Sequence, residues 1–145
     1  MTNLVTIQGR GNFSFQEAQA LAPIIKRITA RYRDQVESLM KQLESVDLDR
    51  SEVIDRIEEQ INGLIKDWHA KIRKLGAEPK GLWVVDFDCG EGYFCWKYPE
   101  SSVSHWHSYD TSYKDRVLLD HLGRFFPELE TEDQADFTKS EPRIK

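Results

Sequence analysis

Apolar residues recur at spacings of four and three through the first half of the chain, the period of an amphipathic helix. Ser14 precedes this stretch and Glu17 follows it by three residues, a pattern typical of a capping box at a helix start. The sequence therefore predicts one long helix beginning at Ser14. Its apolar stripe consists of Leu21, Ile25, Ile28, Tyr32, Val36, Leu39 and Leu43.

The same spacing resumes after a polar break at residues 45–49. Asp49 with Glu52 indicates a second capping box, and Gly76 is typical of the left-handed residue that ends a helix. Helices joined by a short loop pack antiparallel, so residues 14–76 are predicted to form a long, coiled-coil-like helical hairpin. The second stripe consists of Val53, Ile57, Ile61, Leu64, Trp68, Ile72 and Leu75.

Beyond residue 81 the apolar period changes to two, which predicts β-strands over residues 82–88, 93–98 and 103–109. If residues 89–92 form the loop between the first two strands, Asp88 pairs with Tyr93 and Asp86 with Cys95. We therefore expect an α+β fold, a long antiparallel helical hairpin packed on a small antiparallel β-sheet of about three strands. In this register one face of the sheet carries Trp83, Val85, Phe87, Phe94, Trp96 and Tyr98.

The domain boundaries follow from chain length, because 145 residues bury a single core. Residues 1–126 are predicted to form one domain, with the hairpin at 14–76, a β module at 82–110 and a short C-terminal helix at 114–123. That helix would place Leu118, Leu119 and Leu122 on its apolar side. A short edge strand is expected over residues 4–8, and the acidic tail, residues 127–145, is expected to be extended or disordered.

Composition limits the partners and the compartment. The net charge of -5 argues against a generally basic nucleic-acid binder, although it leaves room for a local basic patch on the helices that could bind nucleic acid. Two cysteines, Cys89 and Cys95, are too few for a disulfide framework. Neither a leader pattern nor a run of about 18 apolar residues is present. We expect a cytoplasmic protein that does not enter a membrane.

Charge is segregated along the predicted hairpin. The tip, residues 34–60, carries nine acidic residues against three basic ones. The stem, residues 22–33 and 61–74, carries eight basic residues against Asp67 alone. A solvated helix surface explains this pattern equally well. The sharper interpretation is a homodimer in which the acidic tip of one copy meets the basic stem of the other.

The face of the sheet opposite the aromatic set collects the polar groups. An anionic ligand could bind to Lys97, Lys114 and Arg116 in a pocket walled by Tyr109 and Tyr113. We expect a self-associating, non-enzymatic binding module without a cofactor, whose polar face takes a small anion or a protein partner. The residues assigned to this site are Asp86, Lys97, Glu100, His107, Asp110 and Arg116.

Two catalytic alternatives stay open at this point. The alternation of the third strand sends both of its histidines to the polar face, where they could bind zinc or iron in a metal-dependent hydrolase. The metal ligands would be His105, His107, Asp86 and Cys95. Cys95 alone could also act as a nucleophile if His107 or Lys97 stabilised its thiolate.

Residues in both halves of the chain resemble a known sequence family. They are Phe15, Glu17, Ala18, Leu21, Pro23, Val85, Asp86, Phe87, Cys95, Trp96, Lys97, Glu100, Trp106, His107 and Arg116. Together they resemble the uncharacterised prokaryotic family called domain of unknown function 2203, over about residues 13–117. The resemblance implies the predicted fold and a prokaryotic, cytoplasmic setting. That family has no assigned activity, so the resemblance implies no catalytic residues.

Overall fold

The computed structural model describes residues 13–124. In that range two α-helices and a five-stranded antiparallel sheet make an α+β fold. The helices are α1 (Phe15–Ser45) and α2 (Ser51–Lys74), and a 3₁₀ turn spans Tyr113–Asp115. The strands, which follow the chain in order across the sheet, are β1 (Glu78–Lys80), β2 (Val84–Asp88), β3 (Tyr93–Lys97), β4 (His105–His107) and β5 (Val117–Leu118).

Helix α1 begins as predicted. The Ser14 hydroxyl accepts a hydrogen bond from the Glu17 amide at 3.0 Å, and the Glu17 carboxylate accepts one from the Ser14 amide at 2.8 Å. The capping box predicted at Asp49 is wrong, because α2 starts after Arg50 and no side chain caps it. A turn in which the Arg50 amide donates to the Asp47 carbonyl leaves Asp49 outside the helix.

The two apolar stripes face each other, as predicted. Trp68 and Ile72 of α2 are fully buried, and the Trp68 indole donates to the Thr29 hydroxyl of α1 at 2.9 Å. One turn towards the tip, the Tyr32 hydroxyl donates to Asp67 at 3.2 Å. From the first pair to the second, the residue number rises in α1 and falls in α2, so the helices are antiparallel.

Glycine ends α2 as predicted. Gly76 has a φ of 91°, and its amide donates to the Arg73 carbonyl. The Ala77 amide donates to the Ile72 carbonyl, which completes a Schellman motif. The reversal brings the chain directly into β1, whose first residue is Glu78.

The register predicted between the two central strands is confirmed, with Asp88 paired to Tyr93 and Asp86 to Cys95. The predicted number of strands is wrong, because β1 and β5 extend the sheet on both sides. The helix predicted over residues 114–123 is also wrong. Leu118 pairs with His105 and the Leu119 amide donates to the Ser104 carbonyl, so pairing with β4 overrides local helix propensity.

The aromatic face of the sheet packs against the hairpin stem. The Trp68 and Trp83 rings meet edge to face at 4.9 Å, and Phe15 meets Phe94 in the same way at 5.5 Å. The Gln19 side chain of α1 donates to the Val103 carbonyl and accepts from its amide, both at 2.8 Å. One face of the sheet is thus buried by helices, and the other is left for polar chemistry.

No helix in the part of the chain that the structure describes is long and apolar enough to cross a bilayer. The strand predicted over residues 4–8 and the acidic tail at 127–145 lie outside the described residues.

Candidate functional site

Three neighbouring strands bring the titratable groups of the polar face together. Asp86 of β2 and Cys95 of β3 are direct cross-strand partners, and His107 of β4 pairs with Tyr93 one step along. All three side chains are buried. Because side chains alternate along each strand, Trp96, which follows Cys95, and Trp106, which precedes His107, point to the opposite face of the sheet. The polar groups are therefore left together on one face.

The buried contact between Asp86 and His107 joins Oδ2 to Nε2 at 3.1 Å. His107 Nδ1 donates to the Ser108 carbonyl at 2.9 Å, and a carbonyl only accepts, so Nδ1 carries a proton. A hydrogen bond on the other side of the ring then requires one more proton, shared between Nε2 and the carboxylate. The pair is neutral overall, whether that proton resides on the ring or on the carboxyl group.

Burial raises the pKa of Asp86, and the charge and hydrogen bond of His107 oppose that rise without cancelling it. Burial and the nearby Asp86 charge also raise the pKa of the Cys95 thiol to about 12. Such a thiol stays protonated at neutral pH, and its side chain is fully buried. Burial and the raised pKa therefore argue against the prediction that Cys95 is an activated nucleophile.

A second charged group adjoins the first. Glu100 binds Arg116 through two hydrogen bonds, at 3.1 Å and 2.5 Å, and also accepts from the Lys97 amide at 2.8 Å. Arg116 lies close enough to Cys95 to oppose the rise in its pKa. The guanidinium also stacks over the Tyr113 ring at 4.8 Å. This pair fixes the turn after β3 and links it to the segment before β5.

A cavity of about 420 Å³ opens on the polar face of the sheet. Its floor includes the Asp86–His107 pair, and its rim carries three lysines and three tyrosines. The lining residues are Lys80, Gly81, Leu82, Val84, Asp86, Tyr93, Lys97, His107, Tyr109, Thr111, Ser112, Tyr113 and Lys114.

The structure divides the residues assigned to the ligand site from sequence. Asp86, Lys97 and His107 line the cavity, whereas Glu100 and Arg116 pair with each other beside it. Asp110 is exposed and does not line the cavity.

The four proposed metal ligands are divided as well. Asp86, Cys95 and His107 place one ligand atom each within 4.8 Å of one another. His105 lies outside this group, and its Nδ1 contacts the Ser104 hydroxyl at 3.1 Å. Both histidines leave β4 on the polar face, but only His107 reaches across to β2.

Sequence reasoning missed several lining residues. Lys80 belongs to β1, which Pro79 made hard to recognise because proline is confined to edge strands. Tyr93 was noted only as the first residue of its strand, and the hydroxyls of Thr111 and Ser112 were overlooked. For Lys80 the sequence offered one signal, its place directly before Gly81, where the chain turns into the first central strand.

Comparison with known proteins places the chain in an uncharacterised family. No curated protein and no solved structure matches it. A family model described as "Uncharacterized conserved protein (DUF2203)" matches residues 12–119, which include both helices, all five strands and every residue that lines the cavity. The chain therefore belongs to the family of uncharacterised conserved proteins called DUF2203.

Proposed function

We propose that this protein is a self-associating, non-enzymatic binding module whose cavity on the polar face of the sheet takes a small anionic ligand. The observation that carries the proposal is the charge of the cavity lining. Lys80, Lys97 and Lys114 lie on its rim, whereas Asp86 is the only acidic residue among the lining residues. Because Asp86 and His107 form a neutral pair, the three lysines leave the cavity positively charged.

The walls of the cavity indicate the shape of the ligand. Tyr93 and Tyr109 meet edge to face at 5.1 Å, and the ammonium groups of Lys80 and Lys97 lie over the Tyr93 and Tyr113 rings at 5.6 Å and 5.8 Å. The Tyr109 hydroxyl donates to Asp88 at 2.6 Å, which keeps this ring in place and raises its pKa to about 12. Flat rings beside cations suit a small organic anion with a planar part, such as a nucleoside monophosphate.

Removing cavity lysines is expected to weaken anion binding. Lys80→Ala and Lys97→Ala should each lower the affinity for adenosine monophosphate by roughly 10-fold, because a charge-assisted hydrogen bond contributes about 1.5 kcal/mol or more. Isothermal titration calorimetry on protein kept in a chelator provides the measurement. Lys66→Ala is the matched control, since Lys66 is exposed on α2 and does not line the cavity.

The control distinguishes a site from general attraction of anions to lysines. Equal weakening by Lys66→Ala and by the cavity substitutions would contradict the proposal, and so would an absence of binding at millimolar ligand. If the cavity binds a protein partner and not a small anion, adenosine monophosphate should not bind even at millimolar concentration.

Self-association is supported by the exposed surface of the hairpin. Leu48 at the tip is 91% exposed, and Met40 on the tip half of α1 is 38% exposed. A groove of about 710 Å³ runs between the helices past Leu39 and Leu64. The sheet packs on the stem. Among the described residues, no strand or further helix covers Leu48, Met40 or the groove. A second copy, placed antiparallel, would cover the tip and bring it to a basic stem.

Charge reversal provides a test that separates pairing from folding. One variant changes four acidic residues of the tip to lysine and takes its net charge from −6 to +2; a second changes four basic residues of the stem to glutamate and takes its net charge from +7 to −1. The tip positions are Glu44, Glu52, Glu58 and Glu59, and the stem positions are Arg27, Arg31, Lys66 and Lys71; all eight side chains are exposed. Each variant alone should be monomeric, because like charges then meet at both contacts. An equimolar mixture should form heterodimers, because a positive tip meets a negative stem and a positive stem meets a negative tip.

Light scattering coupled to size-exclusion chromatography measures these masses at micromolar concentration. A wild-type protein that is monomeric under the same conditions would refute self-association. A mixture that stays monomeric while the wild type dimerises would refute the tip-to-stem arrangement.

A further inference from the structure

Three buried side chains at the floor of the cavity have the composition of a transition-metal site. We propose that Asp86, Cys95 and His107 together bind a single Zn²⁺ ion. Their ligand atoms lie within 4.8 Å of one another, with Asp86 Oδ2 and His107 Nε2 already at 3.1 Å. Ligands around tetrahedral zinc lie roughly 3.5 Å apart, given bond lengths of about 2.0–2.3 Å. Small side-chain movements would therefore close the three around an ion.

The second oxygen of Asp86 points independently to a bound cation. Asp86 is 2% exposed, and its Oδ1 accepts no hydrogen bond from any residue in 13–124. A buried carboxylate oxygen without a partner is costly, by roughly 1–3 kcal/mol, and most such oxygens in folded proteins are satisfied. A cation bound beside it would satisfy this oxygen. The Cys95 thiol lies close enough to the Asp86 carboxylate for a weak S–H hydrogen bond, and that proton would leave when the thiolate binds the ion.

His107 has the orientation of a metal ligand. Its Nδ1–H donates to the Ser108 carbonyl, which fixes the ring and directs Nε2 towards Asp86. Metal-binding histidines usually hold their second nitrogen in this way, because the bond sets the tautomer and the direction of the lone pair. In the apo protein the proton shared with Asp86 occupies the position that an ion would take.

Charge balance also fits Zn²⁺. Binding would displace the thiol proton of Cys95 and the proton shared by Asp86 and His107, so that two negative ligands neutralise the ion. Arg116 lies near Cys95 and is itself neutralised by Glu100, so it can donate to the thiolate without adding net charge. Thiolate with imidazole favours zinc over magnesium and calcium, which prefer oxygen ligands alone.

Within residues 13–124, three protein ligands surround the proposed ion, and two of them line the cavity. A fourth coordination position directed into the cavity would take water or the anionic group of a ligand, as in open zinc sites. No lysine is among the proposed zinc ligands, so the zinc site goes beyond the proposed anion binding.

The test uses the full chain, purified without a histidine tag and stripped of metal. Cobalt(II), a spectroscopic substitute for zinc, should bind one ion per chain and produce a thiolate-to-cobalt charge-transfer band. Cys95→Ser and His107→Ala should each weaken binding by on the order of 100-fold or more. Cys89→Ser and His105→Ala are matched controls, since Cys89 is the other cysteine of the chain and His105 is the other histidine of β4. Circular dichroism checks that each variant is folded.

The wild-type protein by itself can overturn the proposal, which fails if no charge-transfer band appears at stoichiometric cobalt. A band that survives Cys95→Ser and disappears in Cys89→Ser would overturn it as well. If variants fail to fold, zinc should still raise the Tm of the wild type, because an ion that binds only the native state stabilises it. Anion binding is measured in a chelator and cobalt binding without added anion, so failure of the anion site and failure of the metal site are distinguishable.

Discussion

Gly92→Ala is expected to destabilise the protein by roughly 3 kcal/mol, the upper part of the range for overpacking a filled core. A Cβ at this buried position would lie 2.5 Å from Trp106 Cζ2 and 2.6 Å from the His107 carbonyl oxygen. The indole could rotate, but the carbonyl belongs to the backbone of β4. The methyl group would therefore push β4 away from β3 and carry His107 away from Asp86.

Urea denaturation followed by circular dichroism measures this loss. Gly63→Ala is the matched control, because Gly63 lies exposed in α2 and an added Cβ meets no atom within 4 Å. Alanine should raise stability there by about 0.5–1 kcal/mol through helix propensity. If the two substitutions changed stability by the same amount and in the same direction, the close approach of β4 to Gly92 would be wrong.

His107→Ala is expected to cost roughly 3–5 kcal/mol in metal-free protein at neutral pH, because it leaves the Asp86 carboxylate buried without its partner. Adding Asp86→Asn removes that charge and should restore roughly 1–3 kcal/mol. The double variant is thus predicted to be more stable than the single one. An additive result would mean that the two side chains are not coupled.

The cost of His107→Ala should depend on pH. Burial holds the pKa of Asp86 above its ordinary value, and removing His107 takes away an interaction that lowers it. A raised folded pKa means that the protonated form is favoured in the fold, so stability is kept below the unfolded pKa and lost as pH rises through the folded one. The destabilisation should therefore be smallest near pH 4 and grow towards neutral pH. A penalty that is the same at both ends of that range would contradict this account.

The hairpin and the central register could be predicted because they depend on local periodicity. A stripe at spacings of three and four has one way to bury itself, and Ser14, Glu17 and Gly76 mark two of its ends by hydrogen bonds within a few residues. The pairing of Asp86 with Cys95 followed from keeping every aromatic ring on one face. The capping box predicted at Asp49 was wrong because the helix starts one residue later, and the turn before the helix decides that position.

The edge strands were not predictable from local pattern. Glu78–Lys80 contains a proline, and the segment at Val117–Leu118 has the spacing of a short helix. Both become strands because an already formed edge offers unpaired amides and carbonyls, and pairing with them outweighs a weak local preference. Strand β1 carries Lys80, which is one of the three lysines on the rim of the cavity.

Sequence by itself determined the α+β class, the antiparallel hairpin and the division of the sheet into an apolar and a polar face, because these follow from periods of 3.6 and 2 along the chain. Only the tertiary structure decided which polar groups meet. Alternation gave His105 and His107 the same face, yet His107 is the one that forms a cluster with both Asp86 and Cys95, and Glu100 neutralises Arg116 beside them. Distances between strands are fixed by packing across the sheet, and no pattern within a single strand encodes them.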